Sequence, residues 1–357
     1  GMEPCHFRTK FDDVLAGRNQ STGGESARGC VVFPVDDSEF ADDAGILFCS
    51  RPQVDRKVPA LYEHFTTFGL QPHSGTEVKA SKTECLFVAA PPHSYSVDSE
   101  TFDDGFGPAD LSDIMVGDGT TVPVVEDFKY LGYIITRDAK SEADVVSRVQ
   151  KAGNAFGAMK DLIFKNPQIH EFARRLIYTT FIMSVLLYGS ECWCLTQKLR
   201  SKLRVLHSSS VRVVAGCSKY RQWQERIRNS ALRSKVKISS IDVYVQRRQM
   251  AWLGRLAQMG EERIPRRMMS CWVYRKRITA AQRRALQRKG ELPWGRPVGA
   301  PEYTWGRGMY STLEKLGFTK KNWYEVAEDK SRWESEVLEA KLKPARVTGK
   351  KKPALSV

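Results

Sequence analysis

The hydrophobic period changes once along the chain, at Asp138, and that change limits what the chain can fold into. Beyond it, Val145, Val149, Ala152, Phe156, Met159 and Ile163 are spaced 4, 3, 4, 3 and 4 residues apart, an apolar stripe along one helix face. The pattern returns over 169–187 through Phe172, Leu176, Phe181, Ser184 and Leu187, then over 199–214 and 241–259. Before Asp138 the apolar residues come in short runs: Val31-Val32-Phe33, Ile46–Cys49, Cys85–Ala89 and Phe128–Thr136. Such runs predict strands, the last of them a strand pair. One helix interrupts them, with Val54, Val58, Leu61, Tyr62, Phe65 and Phe68 on one side and Gly69 as its stop. Strands with one helix, then helices alone, predict an α+β fold followed by an all-α part.

The same reading divides the chain. Residues 1–30 are polar and predict loop or disorder; residues 31–138 form the strand-rich part, with a Pro-, Ser-, Asp- and Gly-rich loop at 90–120. Residues 139–260 are helical and 261–300 are a basic connector ending in Gly295-Arg296-Pro297. A closing helical pair fills 301–341, with helices at 303–316 and 321–341, and the Lys-rich residues 342–357 predict a disordered tail.

Charge follows the division. Residues 1–150 carry 13 Lys and Arg against 25 Asp and Glu, net −12; the remainder carries 43 against 16, net +27. A surface so basic suits a polyanion, and nucleic acid is the expected partner of the second half. The run Phe181–Tyr188 is far too short to span a bilayer. No basic segment followed by an apolar core opens the chain, so an intracellular, nuclear or cytoplasmic, non-secreted protein is expected. The eight scattered cysteines predict buried thiols rather than disulfides. Cys192, Cys194, His207 and Cys217 are zinc-ligand types, but their spacing is not that of a finger. Trp193, Trp223, Trp252, Trp305, Trp323 and Trp333 are expected in the core more than stacked on bases.

Phe40-Ala41-Asp42-Asp43 is the sharpest local feature. Adjacent carboxylates repel unless a cation neutralises them, and their hard oxygens suit Mg²⁺ or Mn²⁺. Flanked by apolar strands, this segment resembles the catalytic hairpin of reverse transcriptases. Phe68-Gly69-Leu70 and Lys82-Thr83 stand where those of non-LTR retrotransposons carry Phe-Gly-Leu and Asn-x-x-Lys-Thr, although position 79 is Lys79 rather than Asn. Phe128-Lys129-Tyr130-Leu131-Gly132 is similar to their primer-grip hairpin, and Tyr188-Gly189-Ser190-Glu191-Cys192-Trp193 to a thumb motif. Trp252-Leu253-Gly254-Arg255-Leu256, Glu262–Arg267, Gly295-Arg296-Pro297 and Trp323–Trp333 continue the family's order.

The resemblance implies the end of a polymerase palm, a thumb and a C-terminal extension over about residues 31–340. It implies metal ligation by Asp42 and Asp43, pyrophosphate protonation by Lys82, and primer positioning by Lys129, Tyr130, Leu131 and Gly132. The implied partners are an RNA template, an RNA–DNA heteroduplex or DNA, and deoxynucleotides in a complete enzyme. The family's first catalytic Asp stands well upstream of the hairpin, whereas only 39 residues precede Phe40, and Asp12 stands just 30 residues before Asp42. Two-metal synthesis needs carboxylates from both strands, so this chain by itself is expected to be inactive or nearly so. Arg174, Arg175, Arg247, Arg248, Arg266, Arg267, Arg275, Lys276 and Arg277 are the expected phosphate contacts.

Overall fold

The structure is a computed structural model. It describes residues 5–9, 31–35, 37–40, 43–48, 51–70, 81–88, 112–117, 120–260, 262–269, 271–273, 305–319 and 322–342. The chain forms two compact units, one built mainly from residues 18–140 and 267–302, the other from 141–266 and 303–357. The described residues mix helices with small sheets, as the α+β reading expects.

In the first unit, β1 (Cys5–Thr9) pairs antiparallel with both β2 (Val31–Val35) and a late strand, β11 (Cys271–Val273). Two expectations change here. Residues 5–9, read as loop, are a strand. Val31–Val35 is not an arm of the acidic hairpin, because its neighbour comes from the N-terminal stretch instead. The hairpin is tighter: β3 (Asp37–Phe40) pairs with β4 (Asp43–Ile46).

Helix α1 (Arg51–Thr67) follows, and its apolar face lies on β6 (Ile114–Gly117). Val54, Ile114 and Val122 are buried together, and Phe48, Val58, Tyr62, Cys85, Val116 and Val124 pack around them. Arg51 fixes the helix start: its Nε donates to Asp55 at 2.8 Å and its guanidinium donates to the Ser112 carbonyl at 2.8 Å. Gly69 stops the helix as expected, at φ +74°, with the Leu70 amide donating back to the Phe65 carbonyl at 3.0 Å. Residues 114–117 and Thr120, read as part of the 90–120 loop, instead lie in strands: β6 pairs antiparallel with β7 (Thr120–Val122). Burial of Ile114 and Val122 outweighs the Gly and Asp between them.

Short strand β5 (Cys85–Leu86) runs parallel to β8 (Val124–Val125). The chain then enters β9 (Asp127–Tyr130) and β10 (Tyr133–Thr136), an antiparallel pair as expected.

The second unit is helical. Helix α2 (Glu142–Met159) buries Val145, Ala152 and Phe156, then widens into i→i+5 turns over Lys160–Phe164. The helix expected over 169–187 begins at α3 (Glu171–Ile177), where His170 Nδ1 accepts from the Phe172 amide at 3.1 Å. It reaches α4 (Met183–Leu186) through wide turns over Tyr178–Ile182. There Thr179 and Thr180 donate to the carbonyls of Arg175 and Leu176, back-bonding that disturbs a regular ladder.

Helices α5 (Gln197–Val214), α6 (Lys219–Gln224), α7 (Asn229–Val236), α8 (Ile241–Gln258) and α9 (Ile264–Met269) follow. After α10 (Trp305–Lys315), the helix expected over 321–341 is broken. Asp329 ends α11 (Asn322–Glu328) and caps α12 (Lys330–Arg332), accepting from the amides of Ser331 and Arg332; wide turns over Trp333–Glu339 continue it.

The helical core contains a buried imidazole, His207. Its Nε2 faces the Ser239 carbonyl at 2.9 Å, which only accepts, so Nε2 carries the proton and Nδ1 accepts from the Tyr178 hydroxyl at 2.9 Å. Burial pushes the His207 pKa from its ordinary 6.5 down to about 4. Protons therefore bind the unfolded chain first. Stability is full above about pH 6.5 and falls as pH drops toward 4, by a total of about 3 kcal/mol. Urea titrations of wild type and His207→Gln across this window are expected to diverge, the variant giving the flatter pH profile.

Candidate nucleic-acid interface

The β3–β4 pairing sets Phe40 opposite Asp43. Asp43 opens β4; Asp42 itself lies outside the described residues. Lys82 is exposed in a bend just before β5, where Ser81 Oγ accepts from the Thr83 amide at 3.2 Å. The β5–β8 pairing carries this bend to the start of β9. Burial and then the Asp127 charge raise the Glu84 carboxyl above its ordinary pKa.

Lys129 and Tyr130 close β9, with Lys129 exposed and Tyr130 stacked on Phe128 at 6.2 Å. Leu131 and Gly132 form the turn with φ of +48° and +79°, the left-handed pair of a type I′ hairpin. Leucine in that conformation costs roughly 1–2 kcal/mol. Lys82 and the Lys129–Gly132 hairpin are thus linked through one strand pairing, while Asp43 belongs to a separate two-stranded sheet.

Five of the arginines expected at phosphates aim their guanidinium groups at helix-end carbonyls. Arg174 donates to the Phe164 carbonyl at 3.1 Å, Arg175 to Val236 at 3.3 Å and Arg248 to Leu187 at 3.1 Å. Arg247 donates to the Leu338 carbonyl and Arg266 to that of Met259. All five carbonyls belong to the last residues of helical segments or follow them directly. Such carbonyls lack intrahelical donors and carry the negative end of the helix dipole.

Further contacts commit these groups. Arg247 reaches Glu339 at 2.8 Å, Arg248 lies 3.6 Å from Glu191, and Arg266 donates to the Tyr324 hydroxyl at 2.6 Å. Arg175 is only 6% exposed, which leaves no face for a phosphate. Arg267 stands in α9, but its side chain, like Arg275, Lys276 and Arg277, lies outside the described residues.

Exposed charge gathers elsewhere. Residues 219–237 hold seven Lys and Arg against one acid, Glu225. Arg221 engages that acid at 2.8 Å. Helix α6 buries no residue, and Trp223 is 76% exposed, against the core placement expected for it. Trp193, Trp323 and Trp333 are buried as expected. A sequence signal for this segment existed in the mixture of cations with Tyr220 and Trp223.

Cys85, Cys192, Cys194 and Cys217 are free thiols. Burial raises Cys194 to about 11 and also raises Cys192 and Cys85, so these groups stay protonated. Among the described residues no three His, Cys, Asp or Glu side chains converge on a metal position, the four zinc-ligand types included. Nor is any described helix long and apolar enough to cross a membrane.

No family model matches the chain. The chain is similar to a transposon-derived protein. This relative, an uncharacterized protein of Caenorhabditis elegans, is 21% identical over 217 residues, covering 60% of this chain and 71% of its own length. No solved structure matches.

Proposed function

We propose that the chain derives from the reverse transcriptase of a non-LTR retrotransposon and holds nucleic acid. In this reading the first unit is the end of the palm and the helical unit the thumb. The observation that carries it is the antiparallel β3–β4 pairing, with Phe40 opposite Asp43. The Leu131-Gly132 turn, in the place of the primer grip, and the transposon-derived relative support the same origin. The acidic pair suits one Mg²⁺ or Mn²⁺ shared with substrate phosphates. Two-metal synthesis calls for further carboxylates, so no synthetic step is assigned to Asp42, Asp43 or Lys82 here.

A second reading, nucleic-acid binding without synthesis, is favoured by the exposed cations of 219–237. Incubating the purified chain with primed RNA template, deoxynucleotides and Mg²⁺ or Mn²⁺ separates the two. Retained binding with no more than trace extension is expected. Robust extension abolished by Asp42→Asn would make the chain a polymerase in its own right.

A further inference from the structure

The segment from Ser218 to Arg228 is built as an exposed arm. Its first helix, α6, has six residues and no buried side chain, too short to be stable by itself. Polar contacts hold it. Ser218 Oγ accepts from the Arg221 amide at 3.0 Å. Gln222 Nε2 donates to the Ile227 carbonyl at 3.2 Å and to Asn229 Oδ1 at 2.8 Å, and Gln222 Oε1 accepts from Arg212 at 3.4 Å. Arg226 turns the chain at φ +48°, and the Ile227 amide donates back to the Gln222 carbonyl at 3.0 Å.

The arm displays two large rings in water. Tyr220 is 67% exposed and Trp223 76%. They stand three residues apart, so both project from one side of the helix, and Lys219 lies one turn before Trp223 on that side. Behind Trp223 the turn is concave, about 570 Å³, with Gln222, Gln224, Arg226, Ile227 and Arg228 as its other walls. Among the described residues, Lys219, Arg226 and Arg228 form no ion pair, while Arg221 occupies the one local acid.

Exposed aromatic faces flanked by unpaired cations match one ligand chemistry well. Unpaired bases stack on the rings, and the connecting phosphates meet the cations. A duplex hides its base faces and offers the rings nothing. A protein partner with an apolar face would leave the cations unused. We infer that Tyr220 and Trp223 form a stacking platform for unpaired bases of a single nucleic-acid strand, with Lys219, Arg226 and Arg228 on its phosphates. The inference deepens the nucleic-acid reading above and rests on it in charge alone.

The full chain is titrated into a labelled oligouridylate of about 12 nucleotides, a length within the usual single-strand site, and in parallel into an RNA–DNA heteroduplex. Trp223→Ala is expected to weaken oligouridylate binding about 10-fold or more, and Tyr220→Ala to act in the same direction. Trp223→Phe keeps a stacking face and is expected to stay within about 3-fold of wild type. Arg226→Gln with Arg228→Gln is expected to flatten the logarithmic salt slope by about 0.7 per charge. Heteroduplex binding is expected to change less than about 2-fold in Trp223→Ala. Because α6 buries nothing, melting of the variants should match wild type.

Equal oligouridylate affinity for wild type and Trp223→Ala overturns the platform, as does absence of oligouridylate binding by wild type. In either case an unchanged heteroduplex titration leaves the broader nucleic-acid reading standing. Loss of heteroduplex binding alone removes that reading and not the platform.

Discussion

Asp144→Ala is expected to destabilise the helical unit by about 3–5 kcal/mol, because it strands a buried cation. Asp144 is fully buried in the first turn of α2. Its carboxylate accepts from Trp193 Nε1 at 2.8 Å and lies 3.4 Å from Arg148 Nε. Arg148, also buried, lies over the Tyr188 ring at 4.4 Å. The network continues outward. Ser141 Oγ accepts from the Cys194 amide at 3.0 Å, and Gln249 donates to the Trp193 carbonyl at 2.9 Å. The carboxylate therefore ties α2 to the 188–195 segment, and Gln249 ties that segment to α8. Asp144→Asn keeps the shape and one acceptor but not the charge, so a smaller loss is expected. Adding Arg148→Met to Asp144→Asn should recover part of it, a coupling of about 1–3 kcal/mol. Urea midpoints of wild type, Asp144→Ala, Asp144→Asn, Arg148→Met and the double variant measure this; a loss under about 1 kcal/mol for Asp144→Ala would deny the carboxylate its role.

Gly254→Ala should cost about 2–4 kcal/mol in the same assay. Gly254 lies on α8 where the Trp333 indole passes, and a Cβ there overlaps the ring. Trp333 is buried and donates Nε1–H to the Met250 carbonyl at 2.9 Å. Moving the ring adds overpacking of about 1–3 kcal/mol and loosens a buried hydrogen bond, against about 1 kcal/mol of helix propensity gained. Gly157 is the control. It is exposed on α2, and a Cβ there meets nothing within 4 Å. Gly157→Ala is expected to stabilise by up to about 1 kcal/mol. Equal responses at the two glycines would show that the Trp333 contact is not what Gly254 provides.

Local periodicity carried the reading where each element's surroundings are close in sequence. The stripe from Val145 to Phe156, helix α8, the Gly69 stop and the β9–β10 hairpin all stand within a few residues of their expected places. Non-local pairing was not legible. Nothing in Val31–Val35 says that it will pair with Cys5–Thr9, which in turn pairs with Cys271–Val273. The carbonyl partners of the helical arginines were hidden for a related reason. A cation at a solvent-facing position and one aimed at a neighbouring helix end look alike in sequence. Arg175 and Arg248 become structural only because Val236 and Leu187 end helical segments beside them. Trp223 is the converse case, with spacing like that of a core aromatic on a helix that has no core side. The strand pairing around the acidic segment was legible, but its arms stand a few residues closer to that segment than the apolar runs suggest.

The central claim is that the chain holds nucleic acid through its phosphates. The affinity of the full chain for an RNA–DNA heteroduplex, measured across a fourfold increase in salt, tests it most directly. Three or more phosphate contacts predict a fall of roughly 50-fold or more; a change of less than about 2-fold would contradict the claim.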